Sequence, residues 1–255
     1  MKMKMLHDTK LMFIRNMQHT LRSPIFVFVS MFQPLMYLLL FMPLLKGLGS
    51  VPNFSQGITV DIFIPGLLVL QALFGSAFVG FSLIDDIRSG VIERFLVSPV
   101  NRSSILMGRV LRDAVVLLIQ CTLITLVAIP FGLNVNIGGF ALSLLLYALI
   151  GITMASISYG FALIYKVEDS LAPTLNTITL PISLLSGIIL PIALAPIWLQ
   201  DLSKINPFSY TVNSARELFA GNFQNIGIPE GFIVISILAI LVFLWGLRSL
   251  KKMAA

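Results

Sequence analysis

The side chains able to do acid–base, nucleophilic or metal chemistry are few in this sequence, and their spacing does not assemble a reaction centre. His7 and His19 stand near the N-terminus without cysteines or paired carboxylates beside them, whereas a metal ion needs several such donors converging on it. Cys121 is the single cysteine and lies in an apolar run, where it reads as a small buried side chain that permits no internal disulfide. No G-x-x-x-x-G-K-[ST] run occurs, so this sequence offers no loop of backbone N–H groups to cradle nucleotide phosphates. Nor does any acidic, basic or histidine side chain fall in the middle of the long apolar runs. Ion-driven carriers keep titratable groups there, and an intramembrane enzyme would need its acid and base in the same place.

Two charged places remain. DDIRSGVIERFLVSPVNRSSILMGRVLRD, residues 85–113, is the longest charged segment. Ile87, Val91 and Phe95 recur every four residues, which predicts a short helix with an apolar edge, stopped by Pro99. Ser103 or Ser104 is placed to cap the next helix, along which Arg109 and Asp113, four apart, can pair at the headgroup level. The segment is either an ordinary solvated loop or a short rigid lever for a partner to push. Residues 191–229 hold Trp198, the run NPFSYTVNSARELFAG and the isolated Lys204, Arg216 and Glu217. Aromatics with Pro and Gly at intervals predict helices dipping into an outer interface, with Asn206-Pro207 as a turn. Arg216 and Glu217 are adjacent, point in different directions on a helix and are not expected to pair.

The elements that must position these residues are membrane helices. Of 255 residues, 57% are hydrophobic and 11% charged, with a mean hydropathy of +0.97. Soluble domains carry about 25% charged residues, so a soluble globular surface is excluded, and so is a disordered chain. The net charge of +6 points to anionic lipid headgroups, since no folded domain is left over to present a basic face to nucleic acid. A crossing takes about 20 apolar residues. Charge-free runs at 24–45, 62–84, 114–133, 137–165, 171–200 and, shorter, 231–247 predict an all-α membrane protein of six spans in a single transmembrane domain, residues 1–255. As one helix the fifth run would reach about 45 Å, too long for a single crossing. Pro181, Gly187, Pro191 and Pro196 mark where it must bend, tilt or turn back.

Fourteen of the 17 Lys and Arg residues fall in the N-terminal segment, between spans two and three, at Lys166 and after span six, leaving Lys46, Lys204 and Arg216 for the other side. The positive-inside rule then puts both termini in the cytoplasm. The first span follows a long basic segment and lacks a small-residue cleavage pattern, so it is not read as a signal peptide. Residues 5–22 are amphipathic: Leu6, Phe13, Ile14, Met17 and Leu21 gather opposite Asp8, Arg15, His19 and Arg22, and Lys10 can snorkel. This predicts a helix lying in the cytoplasmic interface, as membrane anchor or as platform for a partner. Gln33, Gln71, Gln120, Thr122, Thr125 and Asn176 are uncharged polar residues within spans, expected mainly to join helices by hydrogen bonds.

The order of these parts resembles the type-2 ABC transporter permeases, including the drug-resistance (daunorubicin-type) and polysaccharide-export branches. The resemblance covers essentially the whole chain and rests on two motifs besides the spans. SGVIERFLVSPVNR, residues 89–102, is similar to the coupling segment within 85–104, with Asp85 or Asp86 and Gly90 in the acidic and glycine places before Glu93-Arg94. LPIALAPIWLQDLSKINPFSYTVNSARELFAG, residues 190–221, is similar to the outer or re-entrant segment between spans five and six. The macrolide-export and lipoprotein-release permeases differ in carrying a large extracellular domain. The resemblance implies an exporter permease in a bacterial cell membrane, with no catalytic residue, metal or cofactor of its own. ATP and Mg would bind a separate ATP-binding subunit, two copies of it working with two permeases, identical or related. It further implies Glu93, Arg94, Phe95 and Arg102 as coupling residues, with Arg15 helping to seat the motor.

Small and helix-breaking residues, Gly66, Gly75, Ser76 and Gly80 in span two and Pro181, Ser186 and Gly187 in span five, permit close approach. Those spans are expected to face the two-fold axis, with Gln71, Phe74, Phe78 and Asn176 along a substrate path, or else to pack the chain against itself. A path lined by apolar groups suits amphipathic, drug-like or lipid-like cargo, which 19 Phe against 5 Tyr and 2 Trp also favour. A lipid-linked polysaccharide is the alternative cargo, and a non-transporting sensor or scaffold the alternative role.

Overall fold

The computed structural model describes residues 2–22, 25–48, 60–97, 100–188, 192 and 195–253. The described residues form α-helices joined by turns and short loops, with no strand: α1 (Lys2–Arg22), α2 (Ile25–Leu48), α3 (Val60–Ala77), α4 (Gly80–Arg88), α5 (Val91–Leu96), α6 (Arg102–Ala128), α7 (Ile137–Tyr165), α8 (Glu168–Leu185), α9 (Ile197–Ser203), α10 (Pro207–Ala220) and α11 (Gly227–Met253), with a 3-10 turn at Ile129–Phe131. Among the described residues, four stretches are long and apolar enough to cross a membrane: Val60–Arg88, Arg102–Phe131, Ile137–Tyr165 and Gly227–Lys252. The pair α1 and α2, bent by 70°, adds a fifth when counted as one span. Length and apolarity therefore support four or five crossings where the charge-free runs suggest six.

The difference lies chiefly in the run 171–200. Its helix does not fail at Pro181, which α8 carries inside it together with Pro173; it ends at Ser186, and Gly187 turns the chain with φ +69. That left-handed conformation is open to glycine at little cost. Pro191 lies outside the described residues, and Pro196 stands at the N-cap of α9. What remains, α8, is about 27 Å long and is diluted by Asn176 and three threonines.

The coupling region also departs from a single helix through Ile87, Val91 and Phe95. Arg88 ends α4, and Gly90, at φ +71, begins α5. Pro99, expected as the stop, lies outside the described residues, and α5 ends at Leu96. The cap of α6 is Asn101, whose side-chain oxygen accepts from the Ser103 N–H at 3.0 Å. Asn is at least as good an N-cap as Ser and stands two residues before Ser103, which releases Ser104 for another use. Because α6 begins at Arg102, the residues Arg109, Arg112 and Asp113 belong to the same continuous helix as the apolar run that follows.

Two apolar clusters hold the bundle. One joins Ile64, Leu68, Tyr147, Ile150, Phe208 and Val212, from α3, α7 and α10. The other joins Leu83, Ile84, Ile92, Leu106, Tyr159 and Leu250 at the end where α4, α5 and the last turns of α11 meet. Helix α10 is therefore built into the core, although α9 before it leaves Ile197 and Trp198 exposed as an interfacial helix would. The Asn206-Pro207 turn is pinned under α8: Asn206 accepts from the Phe208 N–H at 3.1 Å and donates to the Ile182 carbonyl at 2.8 Å, while the Ser209 hydroxyl donates to the Leu185 carbonyl at 3.1 Å.

Past the end of α8, Arg216 reaches in from α10. Its guanidinium donates to the carbonyls of Gly187 at 2.7 Å, Ile188 at 3.1 Å and Ile62 at 3.3 Å. As expected, it forms no ion pair with Glu217, which instead accepts from Asn222 at 3.0 Å. Gly66 is required at this crossing, because a Cβ there would lie 2.2 Å from the Ile188 oxygen. Arg216→Met leaves those carbonyls without donors and should destabilise the chain by about 2–4 kcal/mol, read as a lowered thermal unfolding midpoint in detergent, with Arg216→Lys intermediate. Unchanged midpoints would mean that water already serves these carbonyls.

Candidate functional site

The end of the bundle that carries α5 gathers the charged side chains. Ile92 is 1% exposed, and Ile87 and Phe95 pack half-buried beside it. Glu93 and Arg94 are exposed on the same six-residue helix. An anchored apolar side and a free charged side make α5 a rigid projection. Arg15 of α1 lies over the Phe95 ring, 4.6 Å from its centroid, an attraction of about 0.5–1 kcal/mol at an exposed site. Two residues that the sequence reading expects at a motor contact thus lie against each other. Arg102 stands exposed at the first turn of α6.

Helix α1 is fixed by α6. The Ser104 hydroxyl donates to the Met5 carbonyl at 3.0 Å, and the Asn101 N–H donates to the Asp8 carboxylate at 3.2 Å. Met12 packs on Gly108, where an added Cβ would come within 2.5 Å of the Met12 Cβ. Asp8, Thr9, Met12 and Asn16 are the buried face; Leu6, Ile14 and Leu21 of the expected apolar stripe turn away from the protein, as a helix seated on a membrane surface requires.

Beneath α1, charges pair across helices. Arg109, 3% exposed, pairs with Asp86 of α4, not with Asp113 one turn along its own helix. Asp113 is already taken: it lies 3.1 Å from Arg112 and accepts from the Tyr159 hydroxyl of α7. Arg112 also donates to the Thr20 hydroxyl of α1 at 3.3 Å. Buried charges persist when each has its own partner, and the i,i+4 rule is silent about partners supplied by other helices. Arg88 and Glu168, 3.4 Å apart and exposed, add little.

The four residues expected along a path are dispersed. Gln71 is buried; it donates to Gln120 at 2.8 Å, and Gln120 donates to the Ser30 hydroxyl at 2.7 Å, knitting α2, α3 and α6. Phe74 packs half-buried on the core, and Phe78 stacks on Phe81 at 6.0 Å. Asn176 alone is exposed, in a stripe along α8 with Pro173, Thr177, Leu180, Pro181 and Leu184. The small residues of α3 and α4 meet their own chain: the Gly80 N–H donates to the Ser158 hydroxyl at 2.9 Å, and Ser76 lies against Gly151. Among the described residues no group of three or more His, Cys, Asp or Glu could hold a metal.

Residues 7–220 match the ABC-2 type transporter family, a stretch that runs from α1 through α10. The ycf38 protein of Cyanophora paradoxa is 31% identical over 251 residues, covering 91% of this chain and 84% of its own. DrrB1 of Streptomyces coeruleorubidus, named a daunorubicin resistance ABC transporter permease protein, is 24% identical over 201 residues, 76% of this chain and 69% of its own. YadH, an inner membrane transport permease of Escherichia coli K12, is 27% identical over 205 residues, 78% of this chain and 77% of its own.

The ion pair between α4 and α6 should show asymmetric losses. Asp86→Asn leaves the more deeply buried Arg109 unpaired and should cost about 3 kcal/mol; Arg109→Gln leaves a half-exposed carboxylate and should cost less. The double variant should recover part of the Asp86→Asn loss, measured as thermal midpoints in one detergent; strictly additive losses would show that the two side chains do not interact.

Proposed function

The chain belongs to the ABC-2 type transporter family, and on that premise we propose that it is the membrane-spanning permease subunit of an ATP-driven exporter. The observation that carries this reading is the mounting of α5: Ile92 and Phe95 tie it to α4, Arg15 ties it to α1, and Glu93 and Arg94 face outward. A separate ATP-binding subunit holds ATP and Mg, and two copies of each chain form the working unit. The motor docks on Glu93, Arg94 and Phe95, with Arg102 and Arg15 at the rim. Its closure pushes α5 against α4, and the Asp86–Arg109 pair carries the displacement into α6.

In this reading α2 and α8 complete six crossings, and both termini lie in the cytoplasm with α5. The basic residues support that orientation, as does the meeting of Leu250 near the C-terminus with Ile92 of α5 in one cluster. The cargo is an amphipathic small molecule. Its path runs between two copies along the exposed stripe of α8 around Asn176. The drug-resistance relative supports this choice of cargo.

Reversing both charges, Glu93→Lys with Arg94→Glu, should leave the permease folded in the membrane while co-purification with its ATP-binding subunit and export fall together, by about tenfold or more. Normal assembly and export by that variant would overturn the docking assignment. Orientation is checked in a Cys121→Ala background with cysteine placed at position 102: an impermeant maleimide should label it only after the cells are opened, and labelling of intact cells would invert the topology.

A further inference from the structure

Between α1, α4 and α6 lies a cavity of about 370 Å3 whose walls carry Arg15, Arg22, Arg109 and Arg112 against Asp85 and Asp86. Asp86 is committed to Arg109, and Asp113, just outside the cavity, to Arg112. Asp85 shares the wall with Arg15 and Arg22, and the four arginines set against Asp85, Asp86 and Asp113 leave one positive charge in excess. Arg112 lines the cavity while its guanidinium also serves Asp113 and Thr20. A second cavity of about 250 Å3 shares His19, Ser82, Asp85 and Arg112 with the first and is walled by Phe78, Val79 and Phe81. A cationic chamber therefore opens into an apolar, aromatic one, with Arg112 at the boundary.

Arginines lining a cavity are strong, forked donors to phosphate oxygens. One surplus positive charge matches one phosphodiester negative charge, and Asp85 at the boundary opposes the second charge of free phosphate. The apolar chamber supplies burial for a hydrocarbon tail. We propose that a membrane phospholipid binds here, its phosphodiester at Arg22, His19 and Arg112 and its acyl chain along Phe78, Val79 and Phe81. The bound lipid spans α1 and α4, so it fastens the interfacial helix to the element that bears α5. The site requires neither ATP nor cargo, and its test is independent of the export reading.

The full chain, delipidated in detergent, is titrated with dioleoylphosphatidylglycerol and, separately, with inorganic phosphate, and the thermal midpoint is followed. The lipid should raise the midpoint saturably, and inorganic phosphate at equal concentration should not. Arg22 is exposed, so Arg22→Gln leaves the fold intact while weakening the lipid's apparent affinity about tenfold; Phe81→Ala should weaken it about threefold. Lys251→Gln, a charge removed elsewhere, should match the unaltered chain. Equal affinity in Arg22→Gln, or an equal loss in Lys251→Gln, would overturn the site. Stabilisation by inorganic phosphate as large as that by lipid would overturn the lipid as its occupant.

Discussion

A helix that ends within a packed interior leaves carbonyls that water does not reach, and each unsatisfied group costs several kcal/mol. The rest of this fold depends on how that demand is met at Gly187. Arg216 donates to the carbonyls of Gly187, Ile188 and Ile62, and so fastens α10 to the broken end of α8 and the first turn of α3. Asn206 and Ser209 serve the last turns of α8 from the same side. With those groups satisfied, α10 can bury Phe208, Val212, Ala215 and Phe219 against α3 and α7, and a segment that reads as interfacial becomes core.

The opposite end obeys the same rule with charges in place of carbonyls. Asp86 and Arg109 join α4 to α6, while Asp113, Arg112, Tyr159 and Thr20 join α6 to α7 and α1. None of α1, α4, α6 and α7 can shift alone without separating one of these charged or polar groups from its partner. The short α5, anchored by Ile92 and held by Arg15 over Phe95, is attached to this block rather than suspended from a loop, so displacement of its charged face is felt by several helices at once.

Between the two ends, attraction among helices cannot come from the hydrophobic effect, because lipid tails are as apolar as the side chains. Close packing and scattered polar contacts take its place. Gly80 rests on Ser158, Gly151 receives Leu117 and Ser76, and Gly160 lies under the Trp245 ring. Gln71, Gln120 and Ser30 form a polar thread through α3, α6 and α2. These contacts use the inward faces of α3 and α7 and leave α8 with a continuous open stripe.

Much of this was legible in the sequence because it depends on local quantities. Hydropathy requires membrane helices, the spacing of charges marks where they end, and the stretch around Glu93-Arg94 and the one from Trp198 to Gly221 stand out as the places that are not spans. A glycine at 90 or 187 signals a break, although one-dimensional reading sets the fifth break at several candidates and runs a helix through Gly90. Tertiary structure alone decided the partners. Arg109 takes Asp86 over the nearer Asp113, Asn101 supplants Ser103 and Ser104 as cap and frees Ser104 for α1, Gln71 turns inward while Asn176 turns out, and Arg216 leaves its neighbour for carbonyls far away in sequence. Periodicity reports which face of a helix is apolar, but the cost of a buried charge or carbonyl is set by whichever other helix reaches it, and that depends on how all of them pack.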